Sequence, residues 1–196
     1  MFGKIAYSIT GSMINKGILD RECYEVYAYA IEVILLNMSI IISDFVICML
    51  MDDFIHMIAF IVFFIPLRMM AGGYHCKNSG SCYLFSVVFY FASEMIVKCI
   101  NGVDVARVMS GLFYISIAIL LVLSPVIGVN HPLDKKQKTR NKIILTTIVI
   151  IDFALHIIFK RYKLKIDKSE MIFIIMTAIT VVGEKIRRKL IWKQNY

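Results

Sequence analysis

Between Arg68 and Tyr83 the chain reads Arg-Met-Met-Ala-Gly-Gly-Tyr-His-Cys-Lys-Asn-Ser-Gly-Ser-Cys-Tyr. These sixteen residues hold an arginine, a histidine and two cysteines among three glycines, two serines and an asparagine. Turn formers at that density order a loop by local hydrogen bonds rather than by a core. His75 and Cys82 are seven apart. In a straight helix seven residues rise about 10.5 Å, too far for their side chains to bond. The Asn78-Ser79-Gly80 stretch favours a turn that brings His75, at the end of one helix, against Cys82, at the start of the next. Ser79 or Ser81 is expected to cap that second helix. In its first turn, the helix dipole and a nearby imidazole both favour the thiolate of Cys82. A thiolate paired with histidine is an activated nucleophile for acyl transfer.

Other readings of the same residues stand beside this one. A membrane-side cysteine is often just a small apolar residue, and a loop histidine is often just solvated. Cys76 adjoins His75 and competes for the nucleophile's part. A metal held by His75, Cys76 and Cys82 would lack an evident fourth ligand. Arg68 either anchors the topology or pairs a substrate carboxylate.

The rest of the chain must position this loop, and its composition says where. Of 196 residues 59% are hydrophobic and 18% charged, with mean hydropathy +0.75. A globular domain is about 45–50% apolar and about 25% charged. That balance excludes a small soluble enzyme and a disordered chain, and leaves an integral membrane protein. The formal charge is +8. The cations sit at the ends of apolar runs, which points to anionic lipid headgroups rather than nucleic acid. Five cysteines are an odd number, and no CxxC or Cys/His zinc pattern is present. No disulfide framework, metal or cofactor is therefore expected.

Six apolar runs follow one another: 28–50, 54–70, 83–100, 105–129, 143–159 and 171–186. No strand-like alternation is visible, so the expected fold is an all-α integral membrane protein of about six hydrophobic helical segments. The second, fifth and sixth runs are short enough to be tilted, re-entrant or broken. Before them, Ile5, Ile9, Met13 and Ile18 suit an amphipathic helix lying at the interface. The expected organisation is a single membrane domain: an interfacial segment 1–27, a helical bundle 28–186 and a basic cytoplasmic tail 187–196. If all six runs span, fifteen of the 22 Lys and Arg fall on the side of the N-terminus, which places the 68–83 loop in the cytoplasm. The Lys160–Lys168 cluster opposes that rule locally. Glu32, Asp44, Glu94, Asp152, His156 and Glu184 interrupt the runs. Asp44 and Glu94 sit deep enough to imply a polar interior, whereas Glu184 fits a helix end from which the side chain reaches water.

The pattern Arg68-x3-Gly72-Gly73-x-His75-x6-Cys82, in a loop after two apolar runs, resembles the AgrB (accessory gene regulator B) family of membrane cysteine endopeptidases in Gram-positive quorum sensing. A second likeness runs from Ser124-Pro125 through Asn130-His131-Pro132-Leu133-Asp134 into Lys135-Lys136. The family often carries an acidic residue after the proline, where this chain has Ile127-Gly128. The resemblance covers nearly the whole chain.

By that resemblance, His75 is the catalytic histidine and Cys82 the nucleophile, with Arg68, Gly72 and Gly73 beside the site. The implied partner is an AgrD-type precursor peptide. Its C-terminal tail is cut off, the acyl group is held on Cys82, and the peptide closes into a thiolactone or lactone. A multi-pass protein of the cell membrane is implied, with a homodimer left open. The competing class is a non-enzymatic membrane protein, either a small transporter or a sensor-associated scaffold, in which Asp44, Glu94 and Asp152 line a polar passage. No internal inverted repeat of the transporter kind is visible.

Overall fold

A computed structural model of the chain describes residues 2–73, 76, 78–100, 103–126 and 134–194. Among these residues every regular element is helical. They are α1 (Phe2–Asn15), α2 (Tyr24–Met51), α3 (Phe54–Ala59), α4 (Ile65–Ala71), α5 (Ser79–Cys99), α6 (Val103–Leu123), α7 (Lys135–Arg161) and α8 (Ile166–Gln194). Five helical stretches are long and apolar enough to cross a membrane: Arg21–Met51, Phe54–Ala71, Ser79–Cys99, Asp104–Leu123 and Lys136–Arg161. Large apolar side chains face outward along them; on α2 alone Ile34, Met38, Ile42, Phe45 and Met49 are exposed at spacings of three and four. In water such a stripe would be costly, but in a bilayer it is the lipid-facing surface.

The sixth expected segment differs. Only thirteen residues, 171–183, separate Glu170 from Glu184 on α8, about 20 Å of helix against a hydrocarbon core of about 30 Å. Protein covers most of this stretch, with Ile179 left exposed. Met171, Ile172, Phe173, Ile174, Ala178 and Val181 are buried, and so are Ser169, Thr177 and Thr180. Thr177 and Thr180 return their hydroxyls to the carbonyls of Phe173 and Thr177 (2.7 and 2.8 Å). Glu184 does not reach out to water as its position implied. It is fully buried, and Arg187 pairs with it at 3.0 Å. The neighbouring helices cover Glu184, which meets the half-buried Arg187 instead of solvent.

Helix ends also depart from the boundaries read in the sequence. The limit at 27 falls inside α2 and the limit at 186 inside α8, and the charged run 135–142 is the first part of α7. Lys, Arg, Glu and Gln propagate helix well, so a loss of hydropathy does not stop one.

The chain forms two compact units, residues 1–51 with 76–91 and residues 52–75 with 92–196. In the first, α1 packs on α2. Tyr7 donates to Glu25 (2.7 Å), which raises its phenol above the usual value, and Tyr24 donates to the Tyr7 carbonyl (3.0 Å). α1 turns Ala6 and Thr10 inward and leaves Ile5 and Ile9 exposed. In the second, α8 packs against α3, α4, α6 and α7 around Leu67, Phe113, Leu120, Leu145 and Ile174. The helical stretch 54–71 is not uniform. Asp53 caps it by accepting from the His56 N–H (3.0 Å), and residues 60–64 widen into a π turn in which Ile65 N–H bonds Phe60 O. Pro66 follows directly and has no N–H to give to Val62 O, so the wider turn sits where the α ladder is interrupted.

Candidate active site

The site residues are carried by two helix ends, one in each unit. α4 stops at Gly72, where φ is +72° and the N–H returns to Arg68 O at 3.2 Å. Gly73 follows at φ +134°. Neither position has room for a side chain. A Cβ on Gly72 would run into the Val126 carbonyl, and one on Gly73 into the Arg68 guanidinium. The close approach to Val126 comes from a short parallel bridge in which Val126 N–H donates to Ala71 O (2.9 Å). Arg68 closes the arrangement. Its Nη1 donates to Gly72 O at 2.7 Å and to Thr180 Oγ1 at 3.0 Å. Lys142 secures the neighbouring strip by donating to the carbonyls of Leu121 and of Ser124, the latter at 2.7 Å. These are last-turn carbonyls of α6 and its exit, which have no partner within that helix.

The second end is the start of α5. Asn78 caps it: its Oδ1 accepts from Ser81 N–H at 2.7 Å, and its own carbonyl accepts from Cys82 N–H at 3.1 Å. The cap is thus Asn78, not Ser79 or Ser81. Cys82 is the fourth helical residue, in the first turn, and is half-buried, as is Cys76. The next residue is tied down from two sides. Tyr83 shares a 2.6 Å hydrogen bond with Ser43 on α2, and its ring lies 6.0 Å from that of Phe2 on α1. Three helices of the first unit therefore fix the turn that carries Cys82.

His75 and Lys77 lie outside the described residues, as do residues 127–133 of the Ser124–Asp134 motif. Arg68, Gly72 and Gly73 come together in the second unit, while Cys76 and Cys82 belong to the first. Sequence spacing did not reveal Asn78, Tyr83, Val126 or Thr180 as supports. Thr180 is the hardest to foresee, because 112 residues separate it from Arg68.

Along the chain these parts run in the order of an Arg-Gly-Gly turn and then a capped helix with cysteine in its first turn. The family model for AgrB, accessory gene regulator B, matches residues 5–182. The chain belongs to the AgrB family. AgrB proteins are membrane proteins of peptide processing in quorum sensing, and the match takes in α2 to α7 whole with most of α1 and part of α8. Neither a curated protein nor a solved structure matches the chain. Within the AgrB match, both helix ends fall in the same interval, 68–83, between the second and third apolar stretches.

Proposed function

We propose that this AgrB-family protein is a membrane-embedded cysteine endopeptidase that trims and cyclises an AgrD-type precursor peptide. The observation that carries the reading is the placement of Cys82, half-buried in the first turn of a capped helix and held there through Tyr83. The thiolate of Cys82 attacks the carbonyl carbon at the cleavage point. The C–N bond breaks, and the amine of the released tail takes a proton from His75. The acyl group is then a thioester on Cys82. A thiol or hydroxyl of the same peptide, losing its proton to His75, attacks that thioester, closes the ring and frees Cys82. A thioester keeps much of the acyl activation, so closure needs no nucleotide. Holding the internal nucleophile beside it supplies effective molarity. With the Ser81 and Cys82 N–H groups bonded to Asn78, the N–H groups of Ser79 and Gly80 are the natural oxyanion donors at the start of α5.

Arg68 acts in this reading as a positioning residue, since its Nη1 is engaged with Gly72 and Thr180. The loop faces the cytoplasm. Arg68 and Lys77 flank it, and no acidic residue lies between Asp53 and Glu94. The outward Ile5 and Ile9 of α1 suit a helix at the interface, where an amphipathic precursor would also lie.

Coexpression with the cognate precursor, read by gel shift, tests the assignment. Cys82→Ala and Cys82→Ser should each abolish cleavage while the protein still inserts. Cleavage that survives Cys82→Ala but is lost in Cys76→Ala would move the nucleophile to Cys76.

A further inference from the structure

At the opposite end of α8 from Thr180 and Glu184, a second group of reactive side chains collects that the peptide chemistry does not use. The α7–α8 connection is four residues long, with Leu164 N–H returning to Phe159 O (2.9 Å) and Asp167 N–H to Leu164 O (3.2 Å). This tight hairpin sets His156, near the end of α7, against Asp167 and Glu170 in the opening turns of α8. The His156 Nδ1 lies 3.0 Å from Asp167 Oδ1 and 3.5 Å from Glu170 Oε2. Asp152 stands one turn before His156 on α7, close enough to interact with the Glu170 charge. His156 and Glu170 are fully buried and Asp152 is 4% exposed. The Phe113 ring lies tilted against the imidazole with centroids 4.1 Å apart, and Tyr114 meets it edge-on at 6.1 Å.

These residues meet as an ion-pair cluster. Both nitrogens of His156, both oxygens of Glu170, Oδ1 of Asp167 and Oδ2 of Asp152 have no hydrogen-bond partner. Among the described residues the only ion pairs of Asp167 and Glu170 are with His156. Two cations at this end of the helices look elsewhere: Lys160 reaches Ser110 and Lys168 reaches the Ile100 carbonyl. Three carboxylates gather around one imidazole, with Asp152, Glu170 and His156 buried and Asp167 half-buried, and such a cluster is costly unless further positive charge sits among them. A comparable site in the same unit sharpens the contrast. His56 is equally buried, yet Ser169 and Ser93 bond its two ring nitrogens (3.0 and 2.8 Å).

We infer that His156, Asp167 and Glu170, with Asp152 behind them, form a structural site for a divalent first-row transition ion that clamps the α7–α8 hairpin. Donor atoms of all three first-named residues lie within 4.8 Å of one another. Ligands about 2.0–2.2 Å from one ion stand about 3.0–3.5 Å apart, which matches the two short separations. One imidazole nitrogen with carboxylate oxygens suits Zn²⁺ or Mn²⁺ better than Mg²⁺ or Ca²⁺. Building sites from side chains on facing helices is an established use of helical bundles. A shallow cavity of about 440 Å³, lined by Tyr114, His156, Ile157, Lys160, Arg161 and Lys163, opens beside His156.

The test uses the full chain purified in detergent and dialysed against Zn²⁺ or Mn²⁺. Metal analysis should find one ion per chain, heat resistance should rise when it binds, and chelation should reverse both. X-ray absorption should show nitrogen and oxygen ligands without sulfur. Glu170→Gln, close in shape to the native residue, should lose the ion. Wild-type protein that stays metal-free in both ions, or whose ion is sulfur-bound or retained in Glu170→Gln, would overturn the site and leave a buried ion-pair cluster.

Discussion

On the Arg68 side of the 68–83 loop, distant parts of the chain hold the backbone. Val126 reaches Ala71 and Gly72, Thr180 reaches Arg68, and glycine is required because no side chain fits. On the Cys82 side the helix holds itself through Asn78, and Gly80 meets nothing nearer than the Asn78 amide at 3.9 Å. One end is a close-fitted junction and the other a standard helix start held to its neighbours through Tyr83. A loop fixed in such different ways should respond differently to damage at its two ends.

The largest expected effect lies between them. His75→Ala should slow cleavage by at least about 100-fold, the lower size for a positioned proton-transfer group. A rate profile without any titrating group between about pH 5 and 8 would remove His75 from that role. At the junction, Gly73→Ala should cost about 1–3 kcal/mol from a forced left-handed backbone, before the collision with Arg68 is added. Thermal unfolding in detergent reads this, and an unchanged midpoint would mean the junction is loose. Arg68→Lys keeps the charge and loses the planar fork. It should lower kcat with KM nearly unchanged, whereas a rise in KM alone would put the guanidinium on the substrate. At the helix start, Asn78→Ala should cost about 1 kcal/mol of stability, with Asn78→Asp restoring it. Smallest of all, Gly80→Ala should stabilise α5 by about 0.5–1 kcal/mol, since alanine is the better helix former and the space is open. Equal losses from Gly73→Ala and Gly80→Ala would erase the difference between the ends.

Much of the fold was legible because lipid imposes long apolar runs, and five of the six expected segments appear as candidate spans. In the 68–83 loop, residue types and family likeness point to the same candidate residues. The helix cap was missed by one residue. Asn78, Ser79 and Ser81 are all good caps, so local preference cannot choose among them, and Tyr83's tie to Ser43 lies forty residues away. His56 went unnoticed because it sits among apolar neighbours, although Pro66 in the same run was a visible hint of irregular helix. The His156 group stayed hidden for a plainer reason. Asp152 and His156 share a helix face by their spacing, but Asp167 and Glu170 join them only once the hairpin is drawn.

The short apolar stretch of α8 bears on how this protein is made. Insertion machinery releases a segment sideways into lipid according to its own hydrophobicity, and thirteen residues bounded by two glutamates make a poor candidate. Helices α3, α4, α6 and α7 provide the sheath that α8 cannot do without. Biogenesis therefore has an order: the sheath comes first and α8 is recruited into it. A lesion in any sheathing helix is then felt as α8 slipping back to the aqueous face and exposing its threonines and glutamates to quality-control proteases.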